Sequence, residues 1–167
     1  MPISYAWQKT ADQVFWNSVP LVSICEKLTA SNVDFRVIGA VGIKCTGRNE
    51  KDVAFINIKN ENQPLDKNQL SMITSDMRFF RLNFFKFAYA MQYDSGFGAY
   101  FSQGIGEPMN DSDEIKRIYI DYLSKQTSET DRVASLNSLS KIVLPVSYTE
   151  REAETNYNTV LQQIASL

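Results

Sequence analysis

Apolar and polar residues along this 167-residue chain follow two rhythms, and the change from one to the other marks its elements. The densest pattern lies in residues 84–101, FFKFAYAMQYDSGFGAYF. There Phe85, Phe87, Tyr89, Met91 and Tyr93 alternate with Lys86, Ala88, Ala90 and Gln92, so a pleated strand would gather every large side chain on one face. Aromatic rings favour such a half-buried surface. Asp94, Ser95 and Gly96 then supply a reversal, with Gly96 free to take the positive φ of a tight turn. Phe97, Ala99 and Phe101 resume the alternation, and the whole reads as an antiparallel hairpin. Phe80, Phe84, Phe87, Ala88 and Met91 also fit helical spacing; the longer alternation and the turn after it decide for the strand.

Alternation also runs from 33 to 45, where Gly39 and Gly42 mark a bend or bulge. Residues 47–50 turn the chain, and 53–58 return as a near-continuously apolar strand, expected at the centre of the sheet. Helical spacing predicts the rest. Residues 10–18 read as a short helix, and Leu21, Ile24, Cys25 and Leu28 as the stripe of a second one, capped by Ser18 with Pro20 in its first turn. The alternative is a single longer helix kinked at Pro20. A short helix is predicted over 69–74 and another within 128–140. Between them, Asp111 or Ser112 caps an amphipathic helix with the stripe Ile115, Ile118, Tyr119, Tyr122 and Leu123. Residues 142–146 are extended around Pro145. Thr149 with Glu152 forms a capping box opening a last helix, whose stripe is Ala153, Tyr157, Val160, Leu161 and Ile164.

This order predicts a single α+β domain over 1–167. Its antiparallel sheet would hold four to five strands built from two hairpins, with the N-terminal and C-terminal helices packed mainly on one face. In element order alone the arrangement is similar to type III secretion chaperones, which implies a protein-binding role.

Composition narrows the chemistry. Hydrophobic residues make up 44% and charged residues 22%, as in ordinary globular chains. A net charge of −2 offers no global positive field for nucleic acid or anionic membrane. No apolar run approaches the roughly 20 residues of a membrane span. The first residues lack the basic and apolar regions of a secretory signal, and with only Cys25 and Cys45 as cysteines the expected location is a reduced cytoplasm. The chain has no histidine, which removes imidazole acid–base catalysis, Ser-His and Cys-His nucleophile pairs and His-ligated metals.

The remaining motifs are structural. Gly96 with Gly98 and Gly104 with Gly106 do not complete a phosphate-cradling G-x-G-x-x-G. Cys25 and Cys45 sit on apolar positions as inert thiols, while Asp111, Asp113 and Glu114, and Glu150, Glu152 and Glu154, serve caps and solvated faces. No catalytic residue, metal site or cofactor is assigned. Tyr119, Tyr122, Tyr157 and Tyr100 are the candidate interface residues, because rings with a polar tip are enriched where proteins meet. The favoured function is a non-catalytic cytoplasmic protein-binding module of adaptor, secretion-chaperone or immunity type, binding another protein or a second copy of itself and no membrane. One alternative is a small-molecule-binding or enzymatic domain whose pocket, under the aromatic sheet face, draws on Arg36, Arg81, Tyr89, Tyr93 and Tyr100. The least favoured is single-stranded nucleic-acid binding through Arg78, Arg81 and Lys86 with their neighbouring rings.

Overall fold

The computed structural model describes residues 9–44, 51–76, 86, 89–90, 107–109, 111–126 and 142–166. Helix α1 (Ala11–Ala30) opens on a capping box: the Thr10 hydroxyl accepts from the Gln13 N–H at 3.3 Å, and Gln13 Oε1 accepts from the Thr10 N–H at 3.1 Å. It is one helix rather than two. Pro20 lies inside it, buried, although proline removes a rung of the helical ladder. Val14 before it and Leu21, Ile24 and Cys25 after it all enter the core, and that burial carries the helix through. The helix closes with Asn32 at φ 53°, while the Asn32 N–H reaches the Thr29 carbonyl and the Val33 N–H the Leu28 carbonyl. This Schellman closure binds Val33 to the helix end. The strand predicted from 33 therefore begins only at Val37.

Strands β1 (Val37–Lys44) and β2 (Lys51–Lys59) form an antiparallel hairpin. After α2 (Lys67–Ser75), capped by Asp66, the two-residue β3 (Glu107–Pro108) pairs antiparallel with the far end of β1. Then come α3 (Ser112–Gln126) and α4 (Glu150–Ala165), the latter opened by the predicted Thr149–Glu152 box. The sheet order is β2-β1-β3.

The predicted sheet of four to five strands from two hairpins is thus overturned: among the described residues there is one hairpin, with β3 as a short addition. Lys86, Tyr89 and Ala90 are helical, so the strand expected over 85–93 fails at these three residues, the others lying outside the described ones, and Tyr89 is 65% exposed instead of lining a buried face. The segment satisfied both periods, and its lysine, alanines and methionine are strong helix formers. The second half of that hairpin, 97–101, and the helix within 128–140 lie outside the described residues. β2, expected at the centre, lies at the edge of the sheet among the described residues. The bulge falls opposite the step from Val37 to Ile38 and not at a glycine.

The helices are not gathered on one face either. α1, α2 and α4 share a core of Leu21, Ile24, Cys25, Leu70 and Val160, which meets the sheet at Val37 and takes in Leu144 of the extended segment 142–148. α3 instead brings Ile115 and Ile118 against Ala40, Val53, Phe55 and Met109. Ala40 and Val37 have opposite parity on β1, so the two cores approach the hairpin from different sides.

The backbone direction follows from one contact. The Gly42 carbonyl accepts the Met109 N–H at 2.9 Å, which turns Gly42 toward β3. Alternation then gives Gly39, Val41 and Ile43 the hydrogen-bonded pairs with Ile56, Ala54 and Asp52. Val53, Phe55 and Asn57, opposite Gly42, Ala40 and Ile38, turn their N–H and C=O groups to the outer edge of β2. Gly42 must be glycine here, since a Cβ would lie 2.8 Å from Met109 Cβ.

A buried polar joint closes the helical core. Asn17 Oδ1 accepts the Ser147 N–H at 3.0 Å, and Asn156 Nδ2 donates to Ser147 Oγ at 2.8 Å. The extended segment is thereby held between α1 and α4.

Two outcomes test this account. Gly42→Ala is expected to destabilise by about 1–3 kcal/mol in urea unfolding. In a double-mutant cycle with Met109→Gly, which removes the Cβ that an alanine at position 42 would meet, the two losses should be clearly less than additive, and strict additivity would place the strain elsewhere. Asn17→Ala, which leaves the Ser147 N–H buried without its acceptor, should lower stability by about 1–3 kcal/mol; an unchanged midpoint would mean the joint is idle.

Candidate functional site

Tyr119 and Tyr122 lie one turn apart on α3, whose first turn is set by Asp111: its carboxylate accepts the N–H groups of Asp113 and Glu114, both at 3.0 Å. Ile115 and Ile118 turn inward, and that rotation carries the two tyrosines over Phe55 of β2. Ring centroids stand 4.8 Å from Phe55 to Tyr119, 5.4 Å from Phe55 to Tyr122, and 6.5 Å between the two tyrosines, whose planes differ by 20°. Phe55 forms the floor. Tyr122 remains 42% exposed at the top.

Charge surrounds this cluster without entering it. Arg36, just before β1, stands 3.6 Å from Glu61. At the other end Lys51 and Arg117 converge on the carboxylate of Glu114. The Tyr119 phenol is pushed above its ordinary value, first by burial and further by Tyr122, with the Arg36 charge pulling it back. A half-buried ring held toward its protonated form, beside a more exposed neighbour, has the shape and chemistry to pack against another surface. Nothing in it resembles a nucleophile or an acid–base pair.

The structure therefore brings together three of the sequence candidates, Tyr119, Tyr122 and the adjacent Arg36. Tyr157 stands apart, packed on the helical core. Lys86 and Tyr89 are exposed on helical residues, and Tyr100, Tyr93, Arg78 and Arg81 lie outside the described residues. Phe55 was missed. Its parity was the available signal, but the unbroken apolar run over 53–56 conceals which residues share a face.

A shallow groove of about 220 Å³ lies elsewhere, between the end of β2 and the start of α2, with Ile58, Pro64, Leu65 and Gln69 in its walls. It contains none of the residues expected for a pocket under an aromatic sheet face. Lys59 borders it, but its ammonium is engaged inward: Nζ donates to the Phe35 carbonyl at 2.8 Å and the Asn60 carbonyl at 3.0 Å, and sits 4.2 Å over the Phe35 ring. Cys25 is buried and unbridged; burial pushes its thiol up from 9.0 to about 12, with Lys59 pulling the other way. It is no nucleophile at neutral pH. Among the described residues no cluster of three or more His, Cys, Asp or Glu side chains could hold a metal ion, and no helix is long and apolar enough to cross a membrane.

The geometry defines an α+β chain with a cluster of rings where a helix overlies an edge strand. It belongs to the DUF7192 family, a domain of unknown function, which it matches over residues 1–145. No curated protein and no solved structure matches it.

Both raised groups favour their neutral form in the folded state. Their stabilising effect is complete below the ordinary values and is lost as pH rises through the folded ones. For Cys25 this means stability falling between pH 9.0 and about 12. Urea unfolding between pH 8 and pH 11 should show a shallower alkaline decline in Cys25→Ala than in the native chain, whatever the baseline cost of the substitution; parallel declines would remove Cys25 from the account.

Proposed function

We propose that this chain is a non-catalytic protein-binding module whose contact surface is the ring cluster of Phe55, Tyr119 and Tyr122, with Arg36 at its border. The observation that carries the reading is Tyr122. It is a large ring, 42% exposed, held in place by a second tyrosine and a phenylalanine beneath it. Rings fixed in this way lose little side-chain entropy on association, and such residues concentrate binding energy. The absence of histidine from the sequence and the inert Cys25 thiol leave adhesion as the better-supported role than turnover. A cytoplasmic location accords with a buried thiol that makes no bridge.

The test is comparative capture. The native chain, Tyr122→Ala and, as a control on α4, Glu154→Ala are used as bait in lysate of the source cells, with melting points measured in parallel. Tyr122→Ala should lose about 90% or more of any specifically retained protein, as removal of a central ring does, while melting with the native chain. Retention equal to native, or conversion of a substrate by the purified chain, would overturn the reading.

A further inference from the structure

We infer that the C-terminal arm, residues 142–166, is a displaceable strap, and that the seat it leaves on α1 accepts an amphipathic helix of another protein with the apolar spacing of α4. This surface is separate from the ring cluster and does not depend on it.

The arm is stitched to itself. Asn156 Nδ2 of α4 donates to the carbonyls of Pro145 and Val146 at 3.5 and 3.3 Å, and to Ser147 Oγ at 2.8 Å. α4 is also capped from within, by Thr149 and Glu152 at its start and by the Ser166 N–H reaching the Gln162 carbonyl at its end. The extended segment and the helix after it therefore form one piece.

That piece is thinly attached. Its buried apolar side chains are Leu144, Ala153 and Val160, one of them an alanine, whereas α1 buries Val14, Leu21, Ile24 and Cys25. Tyr157, Leu161 and Ile164 are only partly covered. Among the described residues no ion pair joins Glu150, Arg151, Glu152 or Glu154 to the body. The polar tie is the joint of Ser147 with Asn17, beside which the Lys9 ammonium sits 3.7 Å over the Tyr148 ring. Elements with few buried apolar contacts open locally while the rest of a structure holds. The DUF7192 match runs to residue 145, so α1, α2 and the hairpin lie inside the matched domain, and Ser147 and all of α4 lie beyond it. The seat belongs to the domain; most of its cover does not.

The occupant follows from what the seat already holds. Val160 shares one cluster with Leu21, Ile24 and Leu70, and Ala153 is buried two turns before it. Ala153, Tyr157, Val160, Leu161 and Ile164 fall at i, i+4, i+7, i+8 and i+11, the anchor spacing of a helix laid in an apolar groove. A partner helix with that spacing meets the same surface.

The experiment uses the full chain and, as probe, a labelled peptide of residues 142–167. Val160→Asp puts a charge on the buried face of the arm and leaves the seat unchanged. The variant should bind the peptide about tenfold or more tighter than the native chain, whose tethered arm competes at high effective concentration. A peptide carrying the same substitution should not bind. Amide exchange of the native chain should show α4 opening as a unit while α1 and α2 stay protected. If the α1 amides exchange together with those of α4, in the native chain or after Val160→Asp, the arm is an integral part of the core and the inference is wrong. Equal affinity of variant and native chain for the peptide, or none in either, sinks it as well, because the seat then takes no helix from outside. Neither result bears on Tyr122, so the ring cluster stands or falls by its own test.

Discussion

The arrangement turns on a single backbone contact, the Gly42 carbonyl receiving the Met109 N–H. It decides which β1 groups serve β2 and which serve β3. It seats the Met109 side chain in the core beneath α3, and by alternation it leaves one set of β2 groups facing outward. No side chain at position 42 could coexist with that approach, since the first carbon beyond Cα would already collide. A residue with no side chain therefore directs the placement of three rings on the next strand and helix.

Two cores grow from the hairpin in different chemical styles. The one under α3 is small and apolar and tapers into the ring cluster, so its periphery is half open. The other, among α1, α2 and α4, is larger and is closed by amide and hydroxyl groups, with Asn17, Ser147 and Asn156 satisfying one another. Apolar burial fixes how near the helices come, and the polar joint fixes their register, because a buried amide tolerates few arrangements that pair its atoms. Among the described residues no buried side-chain polar atom is left without a partner.

Much of the helical framework was legible in the sequence, and the sheet was not. The Thr149–Glu152 box and the Ile115, Ile118, Tyr119, Tyr122 stripe were read correctly because capping and a 3.6-residue period act locally. Pro20 left two readings open; burial on both sides of it, a tertiary effect, selected the continuous helix. The failure at 85–93 has a different origin. Large residues on alternate positions, interleaved with small helix formers, satisfy both periods, and local reasoning has no third signal to choose between them. β2 was misplaced for a similar reason, since an apolar run records that a strand is covered and not whether a strand or a helix covers it. Of the candidate site, Tyr119 and Tyr122 were visible as members of one stripe. Phe55 beneath them depended on register, which is a property of two strands together.

The contact of Asn17 with Ser147 spans 130 positions of chain. During synthesis α1 emerges long before the segment that closes it, and its leucine and isoleucine face has only α2 as cover until α4 follows. An early helix with an unmet apolar side is a natural client for holding factors at the ribosome. The same span makes the segment before α4 the latch on α1, so any interruption of translation short of Ser147 would leave α1 without its polar closure.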